Sequence, residues 1–105
     1  MIDVLLVSNG NKDDVENIKE KIYNLGEDFF IESNIIAVDS MEAENINFDY
    51  DFAVTLDSKV VLDKKTIDAT SILLDRAGEK TEKDIQNQLL KARATHKRQK
   101  ESQEK

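Results

Sequence analysis

Six residues near the start of the chain, Ile2-Asp3-Val4-Leu5-Leu6-Val7, constrain the fold more than any other stretch. Five are apolar, three are β-branched, and they do not alternate with polar residues. A strand with one wet face alternates; a run of this kind needs cover on both faces, as inside a parallel sheet. Ser8-Asn9-Gly10-Asn11 then supplies turn residues. Val15, Ile18, Ile22 and Leu25 follow at intervals of three, four and three, the stripe of an amphipathic helix. Asn11 or Asp13 suits its N-cap, Asp13, Asp14 and Glu16 suit the positive end of its dipole, and Gly26 suits its stop.

Further along, Phe29 to Val38 reads as a second strand with a break near Ser33-Asn34, and Phe52 to Leu56 as a third. The intervening 39–47 stretch reads equally as one helical turn or as an extended loop. After the turn Asp57-Ser58-Lys59, Val60-Val61-Leu62 reads as a short hairpin partner. Asp63 suits the cap of a helix from Lys64 to Ala77, with Ile67, Leu74 and Ala77 on one face and Gly78 as the stop. Thr81 and Asp84 have the spacing of a capping box before a last helix striped by Ile85, Leu89 and Ala92. Beyond Ala94 nothing apolar remains, so the end of that helix is solvated or frayed unless a partner covers it.

The order implies an α/β or α+β domain: a small three- to four-stranded sheet, one helix after the first strand and two C-terminal helices, the last basic and partly solvated. A three-layer doubly wound half-fold is preferred to a ferredoxin-like plait. If strands one and three run parallel, Ser8-Asn9-Gly10 and Asp57-Ser58-Lys59 share the sheet edge at which such folds bind ligands.

Charge divides the chain. Residues 1–80 form an acidic body with 18 Asp and Glu against 8 Lys and Arg, a net of −10. Residues 81–105 form a basic helix and tail with 4 against 7, a net of +3. Between Lys21 and Lys59 there are nine acids and no Lys or Arg. Such a body repels nucleic acid and anionic membrane and attracts basic partners. There is no cysteine, which excludes disulfides and thiolate chemistry and fits a reducing compartment. The N-terminal MIDVLLVSNG has no basic leader and too short an apolar run for a signal peptide or a membrane span. A soluble cytoplasmic protein of 105 residues, with no membrane partner, is the expectation.

Candidate sites follow from this layout. Ser8, Asn9 and Lys59 are the candidates for a small-ligand site on the sheet edge. The loop lacks the glycine patterns of phosphate cradles, and three carboxylates in the next helix's first turn oppose an anion there. The layout loosely resembles the sugar-transport phosphocarrier IIB domains, in which a Cys ends the first strand. Ser8 takes that place here and the following loop does not match, so no family is read from it. Asp49 and Asp51 are at the spacing of two ligands on one strand face, yet no EF-hand pattern or His partner accompanies them. In the preferred reading Phe48, Tyr50 and Phe52 pack inward from one face and Asp49 and Asp51 face water. Asp49, Tyr50 and Asp51 are then the candidates for docking a partner with a basic surface.

Arg93, Lys97 and Arg98 are the candidates for a second contact. The same basic helix suits nucleic acid as an alternative, although it has no aromatic residue for stacking. His96 is the one histidine and lies among cations, with no pocket or orienting partner indicated. No catalytic, metal or cofactor residues are read. The leading expectation is a regulatory or interaction protein rather than an enzyme, with nucleic-acid mimicry as a sharper form of it. A ligand-binding or enzymatic domain using residues 8–11 and 57–59 is the third reading.

Overall fold

The computed structural model describes residues 2–57, 62, 65–73 and 78–103. Ile2–Val7 forms strand β1, Lys12–Glu27 helix α1 and Ser33–Val38 strand β2. A single 3-10 turn, Glu42–Asn45, lies in the connection to β3, Phe52–Thr55. The short strand β4, Thr66–Asp68, leads to a one-turn helix α2, Thr70–Leu73, and to the long helix α3, Gly78–Gln103.

The four strands make one sheet in the order β2-β1-β3-β4, and every neighbouring pair is parallel. Leu5 of β1 aligns with Ile36 on one side and Ala53 on the other. This central position explains the unbroken apolar run: Val4, Leu5, Leu6 and Val7 have no solvent exposure. An all-parallel sheet settles the fold class as α/β and sets aside the plait and the α+β alternative.

Alternate residues of each strand serve two unequal layers. On the first face Ile2, Val4, Leu6, Ile35, Phe52, Val54 and Ile67 pack against Val15, Ile18 and Ile22 of α1 and Ile85 and Leu89 of α3. On the second face Leu5, Val7, Val38 and Ala53 meet Ala43 of the 3-10 turn, with Ile36, Ile46, Tyr50 and Leu62 partly buried around them. The first connection thus crosses one face and the second crosses the other, so the winding reverses between β1 and β3. In open parallel sheets a crevice forms at the carboxyl ends of strands where this happens.

Several boundaries differ from the sequence reading. Strand β2 starts at Ser33, not Phe29, because the chain first folds back on the end of α1. The Gly26 carbonyl accepts from Phe29 N at 3.0 Å and from Ile31 N at 2.9 Å, and Phe30 takes a left-handed φ of 57°. Gly26 sits one residue inside the end of α1, where a Cβ would lie 2.8 Å from the Ile31 carbonyl oxygen.

The expected helix over 64–77 is not formed as such. Thr66–Asp68 extends the sheet beyond β3, held by Ala53 N donating to Lys65 O and Ala69 N to Thr55 O, each at 2.9 Å. Among the described residues of that span the helix is α2, Thr70–Leu73, and the expected face residues Leu74 and Ala77 lie outside the described residues. Gly78 opens α3 instead of closing a helix, and Thr81 falls within it. The expected hairpin at Val60-Val61 and the Asp63 cap lie outside the described residues. The charge boundary at residue 80 falls inside α3, whose Ile85 and Leu89 are fully buried, so the first half of the basic segment belongs to the core. Among the described residues no helix is long and apolar enough to cross a membrane.

Candidate functional site

All four strands end at one cleft. Ser8, Asn9 and Gly10 follow β1, Asp39, Ser40 and Met41 follow β2, Leu56 and Asp57 follow β3, and Thr70 follows β4; together they line a volume of about 510 Å³. The parallel pairing of β1 with β3 brings Ser8 and Asp57 to the same edge, and Lys59 lies outside the described residues. The loop after β1 is shaped by its own side chains. Ser8 Oγ accepts from Gly10 N at 2.9 Å, and Asn9 Oδ1 accepts from Asn11 N at 2.9 Å. Gly10 has a φ of 87°, a conformation that favours glycine. Asn9 Nδ2 donates to Asp14 Oδ2 at 3.0 Å, and Asn11 Oδ1 caps α1 by accepting from Asp13 N and Asp14 N at 3.0 and 3.3 Å.

Across the cleft the Ser40 hydroxyl donates to Asp57 Oδ2 at 2.8 Å, tying the end of β2 to the end of β3. Buried Thr55 holds the turn at Asp57, its hydroxyl donating to Asp57 O at 2.7 Å and accepting from Asp57 N at 2.9 Å. The described lining therefore sets hydroxyls, an amide and carboxylates beside the apolar Met41 and Leu56, a surface suited to a neutral or cationic group and opposed to phosphate. Ser40 and Thr70 were not legible as site residues. Their signal was the parallel sheet itself, which brings every strand end to one edge.

The connection from β2 to β3 forms a second feature. Ala43 is buried beneath it, while Met41 is 80% exposed and Phe48 is 40% exposed. Val38, Met41, Glu42, Asn45, Ile46, Asn47 and Phe48 line a groove of about 400 Å³. Asp39 Oδ1 accepts from Glu42 N at 2.7 Å and starts the 3-10 turn that lifts Met41 outward.

The aromatic–acidic stretch before β3 is arranged differently from the expected alternation. Residues 48–51 precede the strand, so strand periodicity does not govern them. Phe52 packs on the first face of the sheet, Tyr50 packs partly on the second, and Phe48 joins neither core cluster and is 40% exposed. Asp49 faces solvent, with Oδ1 accepting from Tyr50 N at 3.0 Å.

Asp51 is directed into the protein. Its Oδ2 accepts from Asp3 N at 2.8 Å, its backbone N donates to Asp3 O at 2.8 Å, and its Oδ1 lies 2.7 Å from His96 Nε2. His96 thus has an orienting carboxylate that nothing local in the sequence signals. Three residues earlier, Arg93 Nη1 donates to the Phe29 carbonyl at 2.7 Å. Arg93 and His96 both fasten α3 across the amino edge of the sheet. Lys97 and Arg98 continue α3, and their side chains lie outside the described residues. Among the described residues no group of three or more His, Asp or Glu has an arrangement suited to a metal ion.

The chain matches no protein-family model, and comparison with curated proteins and with solved structures finds no significant match.

Proposed function

We propose that this chain is a small interaction module that binds a protein partner with a basic surface through the β2–β3 connection. The observation that supports this most is the pair Met41 and Phe48, large apolar side chains held out from the fold beside one groove. They stand among Asp39, Glu42, Glu44 and Asp49, in a stretch without Lys or Arg from residue 22 to residue 58. Apolar anchors supply contact area, and surrounding charge of one sign speeds encounter and selects the partner's sign. Met is a side chain that adapts to varied apolar surfaces. Of the residues expected here, Asp49 stays with this surface, Tyr50 anchors the connection to the sheet, and Asp51 has a structural role. The reading is of a binding protein rather than an enzyme, acting in the cytoplasm.

The test is a tagged pull-down from native lysate with nuclease present, comparing the full chain with Met41→Glu/Phe48→Glu. Both proteins are first checked for equal unfolding midpoints. The reading expects a basic protein retained by the parent and lost by the variant. Equal recovery by both would refute it.

A second reading has its own observation. Convergence of all four strand ends on the 510 Å³ cleft favours binding of a small neutral or cationic ligand there. Substituting Ser40 and Thr70 by alanine would abolish such binding and leave the partner interaction intact. Nucleic-acid association through the tail has less support, because Arg93 is committed to Phe29 O and His96 to Asp51.

A further inference from the structure

Strand β2 is an edge of the sheet, with β1 as its neighbour. Its sequence, Ser33-Asn34-Ile35-Ile36-Ala37-Val38, carries no charge in a chain that is 35% charged. Sheet edges of soluble proteins are commonly protected by charged residues, proline, bulges or shortness. Strand β2 has six residues and pairs in register along its whole length with β1.

Its backbone directions follow from two contacts. The carbonyls of Glu32 and Val38 accept from Ile2 N and Ser8 N, so the even-numbered residues turn their N–H and C=O towards β1. Ser33, Ile35 and Ala37 therefore aim theirs outward, and among the described residues those groups have no backbone partner.

We infer that β2 is the seat of the partner: an extended segment of the partner protein adds to the sheet as a further strand beside β2. The inference rests on the interaction reading above and specifies where and how the partner binds. The chemistry of the segment is set by the edge. Its paired stretch is uncharged and rich in β-branched or apolar residues, matching Ile35, Ile36 and Val38. Its ends are basic, because Glu32 and Asp39 bracket β2 and no Lys or Arg lies between Lys21 and Lys59.

On the second face, Ile36 and Val38 lead directly to the groove of Met41, Ile46 and Phe48. A side chain of the added strand on that face reaches the groove, which joins the main-chain ladder to the exposed anchors. A second copy of this chain fits the same edge less well. Pairing β2 with itself would bring together two chains that each carry a net charge of −7.

The test uses the full chain and two synthetic peptides with the same alternating valine–threonine centre, one ended by paired lysines and one by paired glutamates. Binding is followed by calorimetry, and amide hydrogen exchange is followed residue by residue. The expected result is binding of the lysine-ended peptide, with slowed exchange at Ser33, Ile35 and Ala37 and little binding of the glutamate-ended one.

Ala37→Pro removes one outward N–H without touching the ladder to β1 and should weaken binding by roughly tenfold. Glu32→Gln/Asp39→Asn keeps the backbone and should weaken it while reducing its salt dependence. Three outcomes would overturn the inference. One is failure of the lysine-ended peptide to bind at millimolar concentration. Another is protection at Met41–Phe48 with none in β2 and no effect of Ala37→Pro, which leaves the interaction reading standing without strand addition. The third is concentration-dependent dimerisation that protects the same amides in the absence of peptide.

Discussion

Replacing Asp51 by alanine removes two contacts from one carboxylate. The first is the bond from Asp3 N at 2.8 Å, partly buried, where a charged acceptor meets a backbone donor at the start of β1. Hydrogen bonds of this kind contribute about 1.5–3 kcal/mol. The second is the contact with His96, whose side chain is 38% exposed against 19% for Asp51. This pair is partly buried but open to solvent on the His96 side, and with that screening it contributes about 0.2–1 kcal/mol. The first contact therefore dominates, and Asp51→Ala should cost about 2–3 kcal/mol, with His96→Gln costing about 0.5 kcal/mol. Urea slopes for small domains are about 1–3 kcal/mol per molar, so the Asp51→Ala midpoint should fall by roughly 1–2 M at unchanged slope.

Asp51→Asn retains one acceptor oxygen and should lie between the parent and the alanine variant. A double-mutant cycle with His96→Gln should return a coupling of about 0.2–1 kcal/mol. Parent-like stability of Asp51→Ala would refute the reasoning and return Asp51 to the pool of surface acids. A cost for His96→Gln equal to that for Asp51→Ala would mean that fastening α3, and not the Asp3 bond, holds this edge together.

Other substitutions test the packing directly. Phe52→Ala, at a site with almost no exposure on the first face, should cost about 3–5 kcal/mol in urea unfolding. Gly26→Ala should destabilise, because its Cβ would meet the Ile31 carbonyl oxygen at 2.8 Å and backbone must move to relieve it; the unfolding midpoint reports this. Phe30 is 97% exposed at a φ of 57°, so Phe30→Gly should leave stability equal or raise it by up to about 1 kcal/mol. A chain ended at residue 80 loses Ile85 and Leu89 and bares the inner face of α1. It should lack a cooperative thermal transition by circular dichroism.

Legibility followed sequence distance. The βα unit at the start was readable because β1, its turn and α1 are contiguous and each carries its own pattern, down to Asn11 at the cap. The double-sided burial of β1 pointed to a parallel sheet, while the pairing of β1 with β3 was only a condition in the sequence reading; the strand order of the structure supplies it and puts Ser8 and Asp57 on one edge. β4 was not readable, since three residues show no period and Ile67 falls at helical spacing from Leu74. What makes Thr66–Asp68 a strand is the open edge of β3, which lies elsewhere in the chain.

The face of Tyr50 was misread for a related reason: alternation was extended into residues that precede the strand. Asp51 and His96 are 45 residues apart, and nothing near either one announces the other. Ser40 and Thr70 joined the cleft only once the strand order was known. Exposure of Met41 and Phe48 was equally hidden, because apolar residues in a loop are as often buried as presented.

The interaction surface itself is tested most directly by site-specific photo-crosslinking. A photoreactive side chain is placed at position 48 in the β2–β3 connection and, in a separate protein, at position 23 on α1. Phe48 and Tyr23 are matched in exposure, at 40% and 41%, so the comparison isolates position from accessibility. The account predicts that position 48 captures a basic protein from native lysate and that added salt lowers the yield, with no such adduct from position 23. Equal capture from both positions, or capture from position 23 alone, would contradict it.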